Sequence, residues 1–395
     1  MFHLLVFFAL HSDPPSAVSL LQQGLTALQH GQVQEARSEL EEASRLDSKN
    51  AYVWSSLAEV YRRLNQGELA ALAAKNAEAS GGDNPVVAHA LAKYYSETGQ
   101  FGRAAQMERR YAESAKADPG ALSRAAELSL KAGNSNAALE LAQRAQARHP
   151  SPMTQDLLAQ ALAATGHAVE AVSQLRSAWE TDKLNPQIAF DWSHNLLQRS
   201  EFTEAAEVAQ TILRVHPDEA QMMLVLGVAR YGQRRFDEAI TVFLKVIESD
   251  PQIEQPYLFL GRMLDQAGDH LPTITRDYEQ WAASDPKNAK AQLLLAKALL
   301  TANVKNERAE TLLRRAIALD PGDWESHYEL GVWLSNGRKY SDAAEELGRA
   351  IELAPKQPEP HYHLARVYDR LGQPERAKAE RERHQSLTTP RNGMP

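Results

Sequence analysis

The sequence predicts an all-α fold built as a solenoid of antiparallel helix pairs, and three observations lead to this prediction. Small residues recur along the chain in two regular columns, apolar residues within each repeat follow helical spacing, and prolines separate one repeat from the next. Self-similarity at a period of roughly 20–50 residues is the signature of repeat architectures. We therefore expect each repeat to form one pair of helices that stacks on its neighbours.

The first column holds a glycine, alanine or serine in each of eleven repeats, at spacings of 33 to 35 residues. Its members are Gly24, Ala58, Ala92, Ala126, Ala159, Ser193, Gly227, Gly261, Ala296, Gly331 and Ala365. The second column, at spacings of 33 to 36 residues, consists of Ala36, Ala70, Ala104, Ala138, Ala171, Ala205, Ala239, Thr273, Ala309, Ala343 and Ala377. Where two helices cross closely, only a small side chain leaves room for the opposing helix, so Gly227→Leu or Ala239→Leu should cost about 1–3 kcal/mol.

Within a repeat the apolar residues follow the helical period. Trp54, Leu57, Ala58 and Tyr61 lie at offsets of three, four and seven, which places them on one face of a helix. A residue that tolerates positive φ follows the first helix of most repeats: Gly31, Asn65, Gly99, Gly133, Gly166, Gly268 and Gly372. Prolines mark the boundaries between repeats: Pro85, Pro119, Pro150, Pro186, Pro217, Pro251, Pro286, Pro321 and Pro355.

The charge pattern argues against a nucleic-acid partner. The 395-residue chain carries a net charge of -8, and acidic residues interleave with its short basic clusters. Because a binder of phosphate backbones needs a concentrated basic face, we interpret these clusters as solvated helix surfaces. The chain has no cysteine, which excludes disulfides, thiolate metal sites and cysteine nucleophiles.

The N-terminus begins with an apolar run from Phe2 to Leu10. This run resembles the hydrophobic region of a secretory signal, but no Lys or Arg precedes it and it is too short to span a bilayer as a helix. We favour an exported, periplasmic or membrane-associated protein over a cytoplasmic one, with membrane contact only through this segment. In the alternative, the run packs on the first helix or is disordered. The expected organisation is residues 1–16 for this segment, 17–387 for the solenoid and 388–395 for a polar tail.

The pattern of the repeats resembles the tetratricopeptide repeat. The tenth repeat, Trp324 to Gln357, carries its signature in Leu330-Gly331, Leu334, Tyr340, Ala343-Ala344, Leu347, Ala350 and Pro355. The resemblance covers nearly the whole chain, and it implies a right-handed superhelix whose concave surface is lined by the first helix of each repeat and binds peptides or partner helices. The eighth repeat departs from the pattern, with Pro272-Thr273 in place of Xaa-Ala, and there we expect a local kink.

Positions three before, one after and four after each member of the first column are expected to line this concave groove. They are largely polar in the first half of the chain and turn apolar or aromatic from the sixth repeat onward. The candidate partner-binding residues are Phe190, His194, Leu224, Val228, Tyr231, Leu258, Arg262, Leu293, Lys297, Tyr328, Tyr362 and Arg366. Aromatic and arginine anchors in an apolar strip are typical of peptide grooves. In the alternative interpretation, neighbouring first helices partly bury these side chains.

The sequence gives no indication of catalysis, and no enzyme, metal, cofactor or small-molecule substrate is expected. It has no glycine-rich phosphate loop, no G-x-S-x-G and no H-E-x-x-H. His361 and His363 are two residues apart on a predicted helix and point to different faces, so we interpret them, with His327, as packing residues. We expect a protein-interaction scaffold. The alternatives are an architectural solenoid that self-associates and an auxiliary subunit of a separate envelope enzyme.

Overall fold

The computed structural model describes residues 16–389, and this part of the chain forms 22 α-helices with no strand. The helices are α1 (Ala17–Gln29), α2 (Val33–Leu46), α3 (Ala51–Arg63), α4 (Gly67–Gly81), α5 (Pro85–Glu97), α6 (Phe101–Ala112), α7 (Ala121–Lys131), α8 (Ser135–Arg148), α9 (Pro152–Ala164), α10 (Ala168–Thr181), α11 (Pro186–Gln198), α12 (Phe202–Leu213), α13 (Ala220–Gly232), α14 (Phe236–Ser249), α15 (Glu254–Gly261), α16 (Leu271–Ser284), α17 (Ala289–Ala302), α18 (Glu307–Leu319), α19 (Trp324–Asn336), α20 (Tyr340–Leu353), α21 (Pro358–Arg370) and α22 (Pro374–Thr388). The predicted all-α fold is confirmed.

The described chain divides into two compact units, an N-terminal unit of residues 16–183 and a C-terminal unit of residues 184–389. The described part of the N-terminal unit contains α1 to α10, and that of the C-terminal unit contains α11 to α22. Within each unit nearly every odd-numbered helix packs on the helix that follows it, and each pair contacts the next pair. Contacts between neighbouring repeats are the defining property of a solenoid.

The two columns of small residues lie at the helix crossings. Every member of the first column is buried, and every alanine of the second column is buried. A β-carbon on Gly24 would lie 2.6 Å from Cγ of Leu40, and one on Gly331 would lie 2.7 Å from Cγ of Leu347. Large side chains of the second helix therefore fill the space that the small residues of the first helix leave open, which is the reason for the period.

Residues with positive φ follow the first helix of the pairs, as predicted. Gly31, Asn65, Gly99, Gly133, Gly166, Gly268 and Gly372 all have φ between 48° and 85°. Three repeats place a residue with a side chain there instead, namely Ser200, Arg234 and Arg338, with φ near 60°. The geometry of the turn is therefore kept where the sequence has no glycine or asparagine.

The eighth repeat is irregular at the place where a local kink was expected. Helix α15 has 8 residues, and two 3-10 turns, Leu264–Gln266 and Gly268–His270, lead from it to α16. In the second column Thr273 is exposed to a greater extent than the alanines, and the fully buried residue is its neighbour Ile274. The shift by one residue explains why the column loses its alanine at this repeat.

Histidines connect the two helices of the last two pairs. The Nδ1 atom of His327 lies 2.7 Å from Oε2 of Glu346, and the Nδ1 atom of His361 lies 2.5 Å from Oε2 of Glu380. Both imidazole rings are buried, so each histidine packs between the two helices of its pair and also contacts a glutamate of the second helix. In the last helix, α22, only Ala377 is buried, and the rest of the helix is largely polar.

The apolar run from Phe2 to Leu10, for which we expected export or membrane association, lies outside the described residues. Within residues 16–389 no helix combines the length and the apolar character needed to cross a bilayer.

Candidate functional site

The groove positions of the C-terminal unit differ widely in exposure. His194, Arg262, Tyr362 and Arg366 are exposed. The half-buried positions are Phe190, Leu224, Val228, Tyr231, Leu258, Lys297 and Tyr328. Leu224, Val228, Tyr231 and Leu258 pack against one core cluster, and Tyr328 packs against another. Much of the apolar character of these positions therefore comes from packing between helices, as the alternative interpretation expected.

The prediction that Leu293 lines the partner-binding groove is wrong. It is fully buried, and it belongs to the core cluster that contains Leu313 of α18 and Leu330 of α19. Because its own second helix and the next first helix both cover this position, the Leu293 side chain cannot touch a partner.

Arg262 is held against an aromatic ring. Its guanidinium carbon lies 5.4 Å from the centre of the Phe259 ring. Phe259 in turn stacks on Phe243, at 5.1 Å between ring centres, and meets the Tyr231 ring edge-on at 5.5 Å. Within residues 16–389 no carboxylate lies within ion-pair distance of the Arg262 guanidinium. The ring contact therefore restrains the Arg262 side chain, and no direct partner in the described chain compensates its charge.

A cavity of about 510 Å³ adjoins Arg262 in the C-terminal unit. Its lining residues are Gly261, Arg262, Leu264, Asp265, Lys297, Leu300, Thr301, Val304, Glu329, Val332, Trp333 and Asn336. They come from α17 and the turn after it, from α19, and from the end of α15 and the residues that follow. The helix α15 ends at Gly261, whereas the other first helices continue for several residues beyond their small residue. The premature end of α15 therefore places a 3-10 turn, rather than a further helical turn, at the wall of this cavity, which we call the α15 pocket.

Of the two cations that line the α15 pocket, Lys297 forms an ion pair in the described chain and Arg262 does not. The Nζ atom of Lys297 lies 2.5 Å from Oε1 of Glu325, and Lys290 approaches the other oxygen of Glu325 at 3.4 Å. Burial raises the pKa of Glu329 to about 7, against the opposing attraction of Lys297, and the negative charges of Glu325 and Asp265 raise it further. Lys297 is thus already occupied, and Arg262 is the cation that remains open to a ligand.

A second arginine near the C-terminal end of the groove has the same arrangement. The guanidinium carbon of Arg366 lies 5.6 Å from the centre of the Tyr362 ring. His363 meets the rings of Tyr328 and Tyr362 at 5.5 and 5.3 Å, and burial lowers the pKa of His363. In the described part of the chain Arg366 also has no carboxylate at ion-pair distance.

In the N-terminal unit, the groove residue Arg62 and the cavity-lining residue Arg124 are both paired with carboxylates. Arg62 lies 2.8 Å from a carboxylate oxygen of Glu59 and 2.7 Å from one of Glu97. Arg124 lies 2.7 Å from oxygens of both Glu108 and Asp118, and its hydrogen bond lowers the pKa of Asp118 to about 2. Arg124 also lines a cavity of about 340 Å³ in this unit. These two arginines are neutralised by ion pairs, whereas Arg262 and Arg366 of the C-terminal unit are not.

Family comparison identifies the repeat. One tetratricopeptide-repeat model matches residues 21–85, 190–252, 276–323 and 302–358, and these segments together make up more than half of the chain. The chain belongs to the tetratricopeptide-repeat family. A second tetratricopeptide-repeat model matches residues 337–383. Neither model matches residues 86–189 of this tetratricopeptide protein, although the structure has regular helix pairs there.

Solved structures with similar folds are themselves distant in sequence. Yeast Tom70 is 15% identical with a TM-score of 0.43, covering 94% of this chain and 92% of that chain. A human IFIT1 dimer with m7Gppp-AAAA is 15% identical with a TM-score of 0.42, covering 96% and 91%. TTC0263, a thermophilic TPR protein of Thermus thermophilus, is 22% identical with a TM-score of 0.38, covering 44% and 93%. No curated protein sequence matches the chain significantly.

Sequence reasoning found part of the α15 pocket and missed the rest. Arg262 and Lys297 were expected from their place one residue after the first column. Leu264, Glu329 and Trp333 were not, because they line a cavity only where α15 ends early. The irregular spacings around the eighth repeat were the one available signal, and they indicated a kink without indicating which residues it would expose.

Proposed function

We propose that this tetratricopeptide protein is a non-catalytic scaffold that binds an extended segment of a protein partner along the groove of its C-terminal unit. The observation that carries the proposal is the position of Arg262, which rests on Phe259 at the α15 pocket and has no carboxylate partner in the described chain. An arginine on an aromatic ring beside a cavity with a partly apolar lining has the composition of an interface hot spot. Arg366 on Tyr362 repeats the arrangement three repeats later.

A protein segment fits the surface better than a small molecule or a nucleic acid does. The α15 pocket is open to solvent and has a size suited to one or two side chains. The two uncompensated arginines lie three repeats apart, so one extended chain can meet both in succession. A nucleic acid would need a continuous basic face, and the chain carries a net charge of -8 with Lys297 already paired to Glu325.

The proposal is tested by selecting peptides from a display library of random decapeptides on the purified full chain. We expect enriched peptides that bind the wild type, lose binding to Arg262→Glu and to Val332→Asp, and retain binding to Leu128→Asp. Leu128 is the matched control, because it is a half-buried aliphatic residue that lines the cavity of the N-terminal unit. Circular dichroism of each variant shows whether it remains helical. Arg262→Glu changes an exposed residue and keeps the test valid if Val332→Asp fails to fold.

Two outcomes would overturn the proposal. In one, no peptide is enriched, or the enriched peptides bind the Arg262→Glu and Val332→Asp variants as well as the wild type. In the other, a labelled single-stranded RNA binds the wild type and loses binding to the same variants, in which case the groove serves a nucleic acid.

A further inference from the structure

We propose that the α15 pocket recognises an acidic residue with a large apolar neighbour in the partner segment, such that Arg262 pairs with the carboxylate while the apolar side chain enters the cavity. This inference rests on the proposed function and specifies which sequences the groove selects.

The first argument is the availability of charge. In the N-terminal unit Arg62 and Arg124 are each bound to two carboxylates, so a ligand would have to displace an existing ion pair to reach either of them. Lys297, the other cation of the α15 pocket, lies 2.5 Å from Glu325. Arg262 has no such competitor there, and its five N–H donors suit a carboxylate in a bidentate arrangement. A ligand carboxylate therefore gains a charge-assisted contact here without breaking another one.

The second argument is the composition of the cavity beside Arg262. Leu300, Val304, Val332 and Trp333 provide the accessible apolar part of a lining that also contains charged and polar side chains. Val304 is 58% exposed, so a substantial apolar surface at the cavity faces water. A large aliphatic or aromatic side chain from a ligand would remove this surface from water, and such burial is the main source of affinity in peptide grooves.

The acidic residues in and beside the pocket do not favour a basic ligand over an acidic one. Glu329 has its pKa raised to about 7 by burial, so near neutral pH it carries only part of a charge. Glu325 is engaged by both Lys290 and Lys297. A cationic ligand would thus meet Asp265 as the remaining acid of the described pocket, and would face Arg262 at the same time. Repulsion by Arg262 excludes basic segments as effectively as attraction selects acidic ones.

The test compares the sequences that the random decapeptide library yields on wild type, Arg262→Gln, Arg262→Glu and Arg308→Gln. Arg308 is the matched control, since it is an exposed arginine of the same unit on the second helix α18, paired with Glu279. On the wild type and on Arg308→Gln we expect enrichment of Asp or Glu next to Leu, Ile, Phe or Trp. The best synthetic peptide should bind Arg262→Gln about tenfold more weakly by fluorescence anisotropy, as loss of one charge-assisted pair implies.

Reversing the charge at position 262 distinguishes direct recognition from a purely structural role, because only direct recognition predicts a change in the charge of the selected peptides. On Arg262→Glu we expect Lys or Arg to replace Asp or Glu beside the apolar residue. The inference is wrong if wild-type peptides contain no preferred acid, or if the preferred acid persists on Arg262→Glu. Peptides that bind the groove without an acid would leave the proposed function intact, whereas a library with no binders would remove both.

The pH dependence of peptide binding tests the same inference through Glu329. The charged groups that face it are Arg262 and Asp265 after α15, Lys297 on α17 and Glu325 on its own helix. Between pH 6 and pH 8 Glu329 loses its proton while Asp and Glu of the peptide stay ionised. We expect the acidic peptide to bind roughly threefold more tightly at pH 6, the size of one charge acting in a solvated site. Glu329→Gln should remove this pH dependence, and tighter binding at pH 8 would contradict the assignment.

Discussion

The ring of Phe243 fills the space into which a side chain at Gly227 would extend, so that a β-carbon there would lie 2.6 Å from Cε1 of Phe243. Phe243 is fully buried and also stacks on Phe259, which leaves it little freedom to withdraw. The glycine of the first column is therefore required by a neighbour on the second helix of the same pair.

Gly227→Ala should destabilise the protein by about 1–3 kcal/mol, because overpacking outweighs the better helix propensity of alanine. The measurement is the midpoint of urea unfolding followed by circular dichroism. Gly348→Ala is the control, since a β-carbon on Gly348 of α20 would meet nothing within 4 Å. That substitution should stabilise by about 1 kcal/mol. If Gly227→Ala and Gly348→Ala changed the stability equally, the close helix crossing would not be the reason for a glycine at position 227.

Arg338→Gly should stabilise the protein by about 0.5–1 kcal/mol. Arg338 has φ of 61°, a conformation in which a side chain collides with its own backbone and glycine does not, while the extra freedom of glycine in the unfolded chain offsets part of the gain. Thermal unfolding of the two proteins gives the comparison. Arg349→Gly, in the interior of α20, should instead destabilise by about 1 kcal/mol. A loss of stability in both variants would contradict the assignment of strain to the turn.

Glu329→Gln should make the protein more stable at pH 8 and leave it nearly unchanged at pH 4. The raised pKa of about 7 means that the folded chain binds a proton more tightly than the unfolded chain does. Stability from this group is therefore complete below the unfolded pKa and is lost as the pH rises through 7. The gain at pH 8 should be about 1–3 kcal/mol, measured by urea unfolding across the pH range. A gain of the same size at both pH values would rule out this cause.

Leu293→Ala should destabilise the C-terminal unit by about 2–5 kcal/mol, the cost of a cavity in a closed core. Arg366→Ala, a change at an exposed groove position, should stay within about 0.5 kcal/mol of the wild type. Urea unfolding followed by tryptophan fluorescence reports both. If Leu293→Ala were as mild as Arg366→Ala, Leu293 would not belong to the core between α18 and α19.

Most of the fold could be predicted from the sequence because each repeat is held by local rules. The small columns and the positive-φ turns have steric causes that act within one helix pair, as Gly331 beside Leu347 shows. The prolines act in the short segment between one pair and the next. The place of the irregular repeat could be predicted too, from the spacing around Thr273. How α15 would end could not, because that depends on packing among α15, α16 and α17 together.

The candidate site was harder to predict because an offset from a column says which face a residue lies on but not what covers it. Leu258 and Leu293 occupy equivalent positions, yet Leu258 is half-buried and Leu293 is fully buried. The difference comes from neighbouring helices. Glu329 could not be singled out from the sequence for the same reason, since only the structure shows the burial that raises its pKa.

The contact between Arg262 and Phe259 has a consequence for the entropy of association. A free arginine side chain loses up to about 2 kcal/mol of rotamer freedom when a ligand immobilises it. Resting on the Phe259 ring, the Arg262 chain has given up part of that freedom before any partner arrives. Binding then starts from a pre-organised receptor, so we expect Phe259→Leu, which removes the ring, to weaken ligand binding.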